Sequence, residues 1–219
     1  QEMYRLIWDF KFLPPGRGLW MMGTDFLWKK GGACLNNCSF VSTKALSTDF
    51  ADPFCFLMDM SMLGVGVGGD TKGAGKVKIR QPKLSKEPHI VTDTREGWFE
   101  LVRDILNSYV GKGTLPSTVD YSQIRPYGEP IKGFGGVASG YKPLEEVHEQ
   151  VREVLDKNVG SPITITTIVD IMNMIGKCVV AGNVRRTAEI VFGDHDSDEY
   201  LNLKNYKKNP HREEYGWTS

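Results

Sequence analysis

Between positions 64 and 76 the chain places six glycines in thirteen residues, Gly64-Val65-Gly66-Val67-Gly68-Gly69-Asp70-Thr71-Lys72-Gly73-Ala74-Gly75-Lys76. Glycine at that density cannot sustain a helix, because each one gives up more backbone entropy on ordering than any other residue. The first six residues fit Gly-x-Gly-x-x-Gly, but a dinucleotide fingerprint follows a strand and opens a helix, whereas here a helical pattern precedes and more glycine follows. The phosphate-loop pattern fails as well: counting back from Gly75-Lys76, Asp70 stands where glycine is required, and Val77 replaces the hydroxyl residue. The stretch therefore reads as a short glycine-spaced strand whose bare backbone lets another strand or a ligand come close.

A second segment, Gly31-Gly32-Ala33-Cys34-Leu35-Asn36-Asn37-Cys38-Ser39-Phe40-Val41, runs from a glycine pair through two amides into Cys38. The alternation at Phe40-Val41-Ser42-Thr43 predicts the start of a buried strand, so Cys38 sits where loop becomes strand. A thiol in that position can face a pocket while the strand fixes it, which suits redox chemistry on a bound substrate. The alternative is a small buried hydrophobe.

Composition limits the remaining classes. The 219 residues carry 27 Lys+Arg and 27 Asp+Glu, so no overall basic field draws in a nucleic-acid polymer, and any anion site has to be local. No apolar run approaches the ~18 residues that would span a bilayer, and no signal peptide opens the chain, so the expected location is the cytoplasm, with no membrane partner. Four cysteines at 34, 38, 55 and 178 are too few for a secreted disulfide framework. Cys34 and Cys38 would make half of a zinc site, but no second ligand pair follows, and no metal site is expected. The abrupt start at Gln1 and the stop in Tyr215-Gly216-Trp217-Thr218-Ser219 read as a chain cut from something longer.

Along the chain, Met3, Leu6, Ile7 and Phe10 predict a helix over 3–12, stopped by Pro14-Pro15. Gly16-Arg17-Gly18 reads as a flexible turn, and Thr24 in the small-residue loop beyond it can hold a phosphate or simply close a turn. Asp52-Pro53 starts a helix that ends by Gly64. Lysines and prolines over 76–92 form a solvated edge. Asp93-x-x-Glu96 reads as a capping box for a helix over 96–110, and a strand is expected over 117–124. The Gly- and Pro-rich run 124–140 holds Arg125 and Lys132 among free amides, which suits a phosphate-bearing ligand or an ordinary surface loop. Pro143 opens another helix, Ser161-Pro162 a further one whose beginning at 163–167 can equally be strand, and Gly182 to Thr187 is a second basic loop leading to a strand at 188–192. The polar remainder supports at most a short helix.

Several of these landmarks together resemble a known family. Leu35-Asn36-Asn37-Cys38-Ser39-Phe40, the glycine strand, Ile124-Arg125-Pro126-Tyr127-Gly128-Glu129-Pro130-Ile131-Lys132-Gly133, Gly135-Gly136-Val137-Ala138-Ser139-Gly140 and Gly182-Asn183-Val184-Arg185-Arg186-Thr187-Ala188-Glu189 occur in the order found in ribonucleotide reductase catalytic chains. The nearest likeness is to the adenosylcobalamin-dependent, monomeric class II ribonucleoside-triphosphate reductases. The resemblance implies an α/β fold, part of the ten-stranded α/β barrel of that family, over 1–219, with an inserted helical and loop segment over 70–122 contributing to an effector site.

It further implies a reaction. A thiyl radical takes the 3′ hydrogen of a ribonucleotide, the 2′ hydroxyl leaves as water, and a thiol pair that includes Cys38 closes to a disulfide, which a thioredoxin-like reductant reopens. The chemistry needs a shielded pocket. Met22, Gly23, Thr24, Asn37 and Gly66 are the implied substrate contacts. Arg125 and Lys132 on one loop, and Asn183, Arg185 and Arg186 on the other, are the implied contacts to a deoxynucleotide effector. Nothing here resembles the radical cysteine, its carboxylate neighbour or the second reducing cysteine, so the 219 residues alone are not expected to turn over. Two other classes are a nucleotide-binding regulatory module without catalysis and a disulfide oxidoreductase, the latter opposed by the absence of Cys-x-x-Cys.

Overall fold

The computed structural model describes residues 1–131, 137–181 and 188–219 and divides into two compact units, Gln1–Asn37 and Cys38–Ser219. The first is a set of short helices: α1 (Glu2–Trp8), α2 (Gly16–Met21), α3 (Asp25–Lys30) and a 3-10 turn at Gly32–Leu35. The expected turn at Gly16-Arg17-Gly18 is instead the first part of α2. Pro15, fixed in φ, stands at its N-cap and starts a helix as readily as it ends one. Helix α3 had no counterpart in the periodicity. Its signal lies in its ends: Thr24 caps it, Asp25 occupies the first turn, and Lys29 and Lys30 the last, in keeping with the helix dipole.

The second unit is built on a parallel sheet in the order β1 (Cys38–Val41), β2 (Gly66–Asp70), β5 (Glu189–Phe192). Helix α4 (Asp52–Met62) connects β1 to β2. The long connection to β5 carries a two-stranded parallel pair, β3 (His89–Ile90) with β4 (Val119–Asp120), and three helices, α5 (Arg95–Ser108), α6 (Lys142–Asn158) and α7 (Ile165–Val180). The architecture is α/β, as expected. The strand expected over 117–124 shortens to β4. A short helix, α8 (Asp198–Leu201), and two 3-10 turns complete the chain.

Helices α4 and α7 cover one face of the main sheet. Leu57, Met58, Ile168, Ile171, Met172 and Ile175 are buried against it, and each fully buried side chain of this size stabilises by about 1.5–3 kcal/mol. Gly69 lets α7 come close: a Cβ there would lie 2.9 Å from the Met172 methyl carbon. Two boundaries move for visible reasons. The cap of α5 is Thr94, whose Oγ1 accepts from the Gly97 amide at 2.9 Å, and Asp93 of the expected capping box is used elsewhere. Residues 161–163 run extended and exchange backbone hydrogen bonds with Val77 and Ile79, so α7 begins later, at a Thr164 cap.

The polar C-terminal stretch is anchored by a residue the sequence did not single out. Arg212 is 1% exposed; its Nε donates to Asp170 of α7 at 2.5 Å and its Nη1 to the Leu203 carbonyl. Among the described residues no helix is long and apolar enough to cross a membrane.

Candidate functional site

The parallel register sets the geometry around Cys38. Cys38 pairs with Gly66, Phe40 with Gly68, and Gly68 in turn with Ile190. Paired residues of a sheet point to the same face. Ser39, Val67 and Glu189 therefore face the helices, while Cys38, Phe40, Ile190 and Phe192 face the other way. Among the described residues of the second unit, no helix lies on that second face. Phe40 is 53% exposed, Ile190 53% and Phe192 52%, and the Cys38 thiol is exposed. The expectation of a buried strand at 40–43 is corrected accordingly: β1 is half-open, and Thr43 already belongs to the next turn.

Glycine makes this face shallow. A Cβ at Gly68 would come within 2.8 Å of the Phe40 ring, so it is the bare backbone of β2 that makes room for Phe40. The far ends of β1 and β2 are tied together. The Asp70 carboxylate accepts from Ser42 Oγ at 2.6 Å, from the Thr43 amide at 2.8 Å and from the Lys72 amide at 3.2 Å. Burial pushes this carboxyl up, but those hydrogen bonds outweigh it and hold it below the usual range.

The four cysteines are all free. Cys34 is buried with its Sγ directed at the Gly31 carbonyl, 3.1 Å away. Burial pushes the Cys55 thiol up to about 12 and raises that of Cys178 as well, which keeps both protonated and unreactive. Only Cys38 combines exposure with a fixed strand position.

Met22, Gly23, Thr24 and Asn37 lie in the first unit, Cys38 and Gly66 in the second. Met22 and Asn37 are exposed. The Thr24 hydroxyl is engaged locally, donating to the Met21 carbonyl at 2.7 Å and accepting from the Leu27 amide at 3.4 Å. On the anion side, Arg125 Nε donates to Asp93 Oδ2 at 2.6 Å. The other four effector candidates, Lys132, Asn183, Arg185 and Arg186, lie outside the described residues. Sequence reasoning missed the partner of Arg125 because Asp93 also fits a helix cap.

A cleft of ≈ 180 Å³ opens between residues 115–121 and α6, lined in part by Leu115, Tyr121, Glu145 and His148. His148 is buried, its Nδ1 2.8 Å from the Tyr121 hydroxyl; burial lowers it to about 3, so it is neutral. The side chains of Asp194, His195 and Asp196 come within 4.8 Å of one another, all exposed on one turn.

A parallel α/β chain with one accessible thiol on an open, glycine-floored sheet face is the class these features define. Residues 72–155 match the family described as B12-dependent ribonucleotide reductase, insertion domain. Over its whole length the chain is similar to a probable adenosylcobalamin-dependent ribonucleoside-triphosphate reductase of Dictyostelium discoideum, 52% identical and covering 31% of that protein. It is 50% identical to the adenosylcobalamin-dependent ribonucleoside-triphosphate reductase of Euglena gracilis, again over the whole chain and 30% of that protein. A crystal structure of a B-12 dependent (class II) ribonucleotide reductase matches with a TM-score of 0.81 at 28% identity, over 96% of this chain and 36% of that one. Across its whole length the chain is similar to B12-dependent, class II ribonucleotide reductases, with the insertion-domain family matched over 72–155. It spans about a third of the length of the curated relatives it matches.

Proposed function

We propose that this chain is the part of a ribonucleoside-triphosphate reductase that supplies one thiol of the reducing pair, Cys38. The observation that carries the reading is the placement of that thiol on the uncovered face of a parallel sheet. Parallel sheets are stable with both faces covered. A barrel closing over Cys38, Phe40, Ile190 and Phe192 would bury their apolar surface and enclose the sugar in one step. Met22, Gly23, Thr24, Asn37 and Gly66 are the substrate contacts of this reading, with backbone groups at the glycines approaching the ribose. Removal of the 2′ hydroxyl as water takes two electrons, which Cys38 and its partner thiol provide as they join in a disulfide. A thioredoxin-like dithiol restores them.

Adenosylcobalamin is the cofactor the family implies, and when bound it supplies the radical. The described cleft of ≈ 180 Å³ is far too small for a corrin ring, and no side chain here is assigned to hold it. The segment 70–122 belongs in this reading to the insertion; the insertion-domain match begins near it, at residue 72, but continues to 155, past 122 and through most of α6. With Arg125, Lys132, Asn183, Arg185 and Arg186 the segment forms the site of a deoxynucleotide effector in a monomeric, allosteric, cytoplasmic enzyme that makes DNA precursors.

The test is to incubate the intact protein with adenosylcobalamin, a dithiol and a ribonucleoside triphosphate. Deoxyribonucleotide formation is expected, and its absence under conditions where a relative works would overturn the reading. For the effector site, Arg125→Ala removes a guanidinium that has donors left after its bond to Asp93. A charge-assisted hydrogen bond contributes about 1.5–3 kcal/mol, so effector affinity measured by equilibrium dialysis should fall by roughly 10- to 150-fold. Unchanged affinity would remove Arg125 from the site.

A further inference from the structure

Glu189 is the first residue of β5 and points to the helix-covered side of the sheet, where it is 8% exposed. Its Oε2 accepts from Asn173 Nδ2 of α7 at 3.1 Å and from Thr218 Oγ1 of the last turn at 3.4 Å. Among the described residues its Oε1 has no partner, and neither does the Asn173 Oδ1. The fit is tight: a Cβ on Gly176 would lie 2.2 Å from Oε1, so glycine at 176 is what lets the carboxyl enter. The Thr218 hydroxyl shares its single hydrogen among Glu189 Oε2, the Asn173 carbonyl at 3.2 Å and the Tyr215 carbonyl at 3.0 Å, which makes Glu189, Asn173 and Thr218 one joint between β5, α7 and the C-terminal turn.

Among the described residues, a carboxylate here would have no cation to meet. On α7, Lys177 is bound to Glu146 and Glu214, and Asp170 is bound to Arg212. On the neighbouring strand β2, Val67 pairs with Glu189 and the Asp70 carboxylate is held by Ser42 and Thr43. Thr218 brings a hydroxyl and no charge.

From this geometry we infer that Glu189 is a proton-controlled latch: neutral, it holds β5, α7 and the 216–218 turn together, and ionised, it loosens that joint. Burial raises its carboxyl to about 8, despite the hydrogen bonds from Asn173 and Thr218. An acid whose folded value lies above its unfolded one contributes stability that is complete below the unfolded value and is lost as pH rises toward the folded one. The latch should therefore weaken from about pH 5 up to about pH 8 and change little beyond.

Hydrogen exchange of the amides at 189–192 and 216–218 in the intact protein, corrected for the intrinsic pH dependence of exchange, reads this out. Protection should fall by up to about tenfold per pH unit below pH 8 and then level off. In Glu189→Gln, which mimics the neutral form, it should be flat. The same decline in Glu189→Gln, or no decline in the wild type, would overturn the latch. If the Gln variant does not fold, Thr218→Val decides: it removes a donor that favours the ionised form, so the levelling point should move to higher pH. An unmoved levelling point would overturn the latch equally.

Discussion

Replacing Cys38 with serine should abolish multiple-turnover formation of deoxyribonucleotides by the intact protein, with a fall of at least roughly a thousandfold, about 4 kcal/mol of barrier. Serine keeps the size and a hydrogen-bonding group but cannot be oxidised to a disulfide, so the two electrons for loss of the 2′ hydroxyl are missing. Because Cys38 faces away from the packed side of the sheet, the fold should tolerate the change, and far-UV circular dichroism should be unaltered. Cys34→Ser is the control, since that thiol is buried against the Gly31 carbonyl and should leave turnover intact. Thioredoxin-supported turnover by Cys38→Ser at the wild-type rate would remove the thiol from the reaction.

The second large effect concerns stability. Arg212→Ala leaves the Asp170 carboxyl buried with its guanidinium gone and the Leu203 carbonyl without that donor. Breaking one side of a buried pair costs about 3–5 kcal/mol, a large part of the stability of a small domain, and denaturant titration should show it as a lower midpoint. Arg212→Lys should recover little, because an ammonium cannot reproduce a fork that reaches a carboxylate and a carbonyl at once. The double change Arg212→Met with Asp170→Asn should recover more than Arg212→Ala, since it leaves no unpaired charge inside. A cost below about 1 kcal/mol for Arg212→Ala would mean that the C-terminal stretch is not held by this pair.

Helices α4 and α6 were legible because proline near the first turn and a regular apolar stripe report on local backbone and one buried face. The glycine strand was legible for the opposite reason, since nothing else tolerates so little side chain. What the sequence hid were choices between partners. Asp93 reads as a cap until Arg125 is seen beside it, and Arg212 in a lysine-rich, polar tail reads as solvated until Asp170 is seen across α7. Such pairings join positions 32 and 42 residues apart, beyond any local pattern. For the candidate site, the thiol and its strand were foreseen, but its enclosure was assigned too early: the strand is open on the side that bears Cys38. Glu189 was visible only as a letter in a motif, because its burial depends on Gly176 of another element.

The main sheet carries two buried carboxyls that answer acid and base with opposite sign. Asp70, depressed by its amide and hydroxyl donors, keeps the far ends of β1 and β2 joined above the ordinary carboxylate range and lets go only as protons displace those bonds. Glu189 does the reverse at the entrance to β5. Acidification should therefore fray one margin and alkali the other, leaving the scaffold firmest in a mildly acidic window bounded by a different residue on each flank.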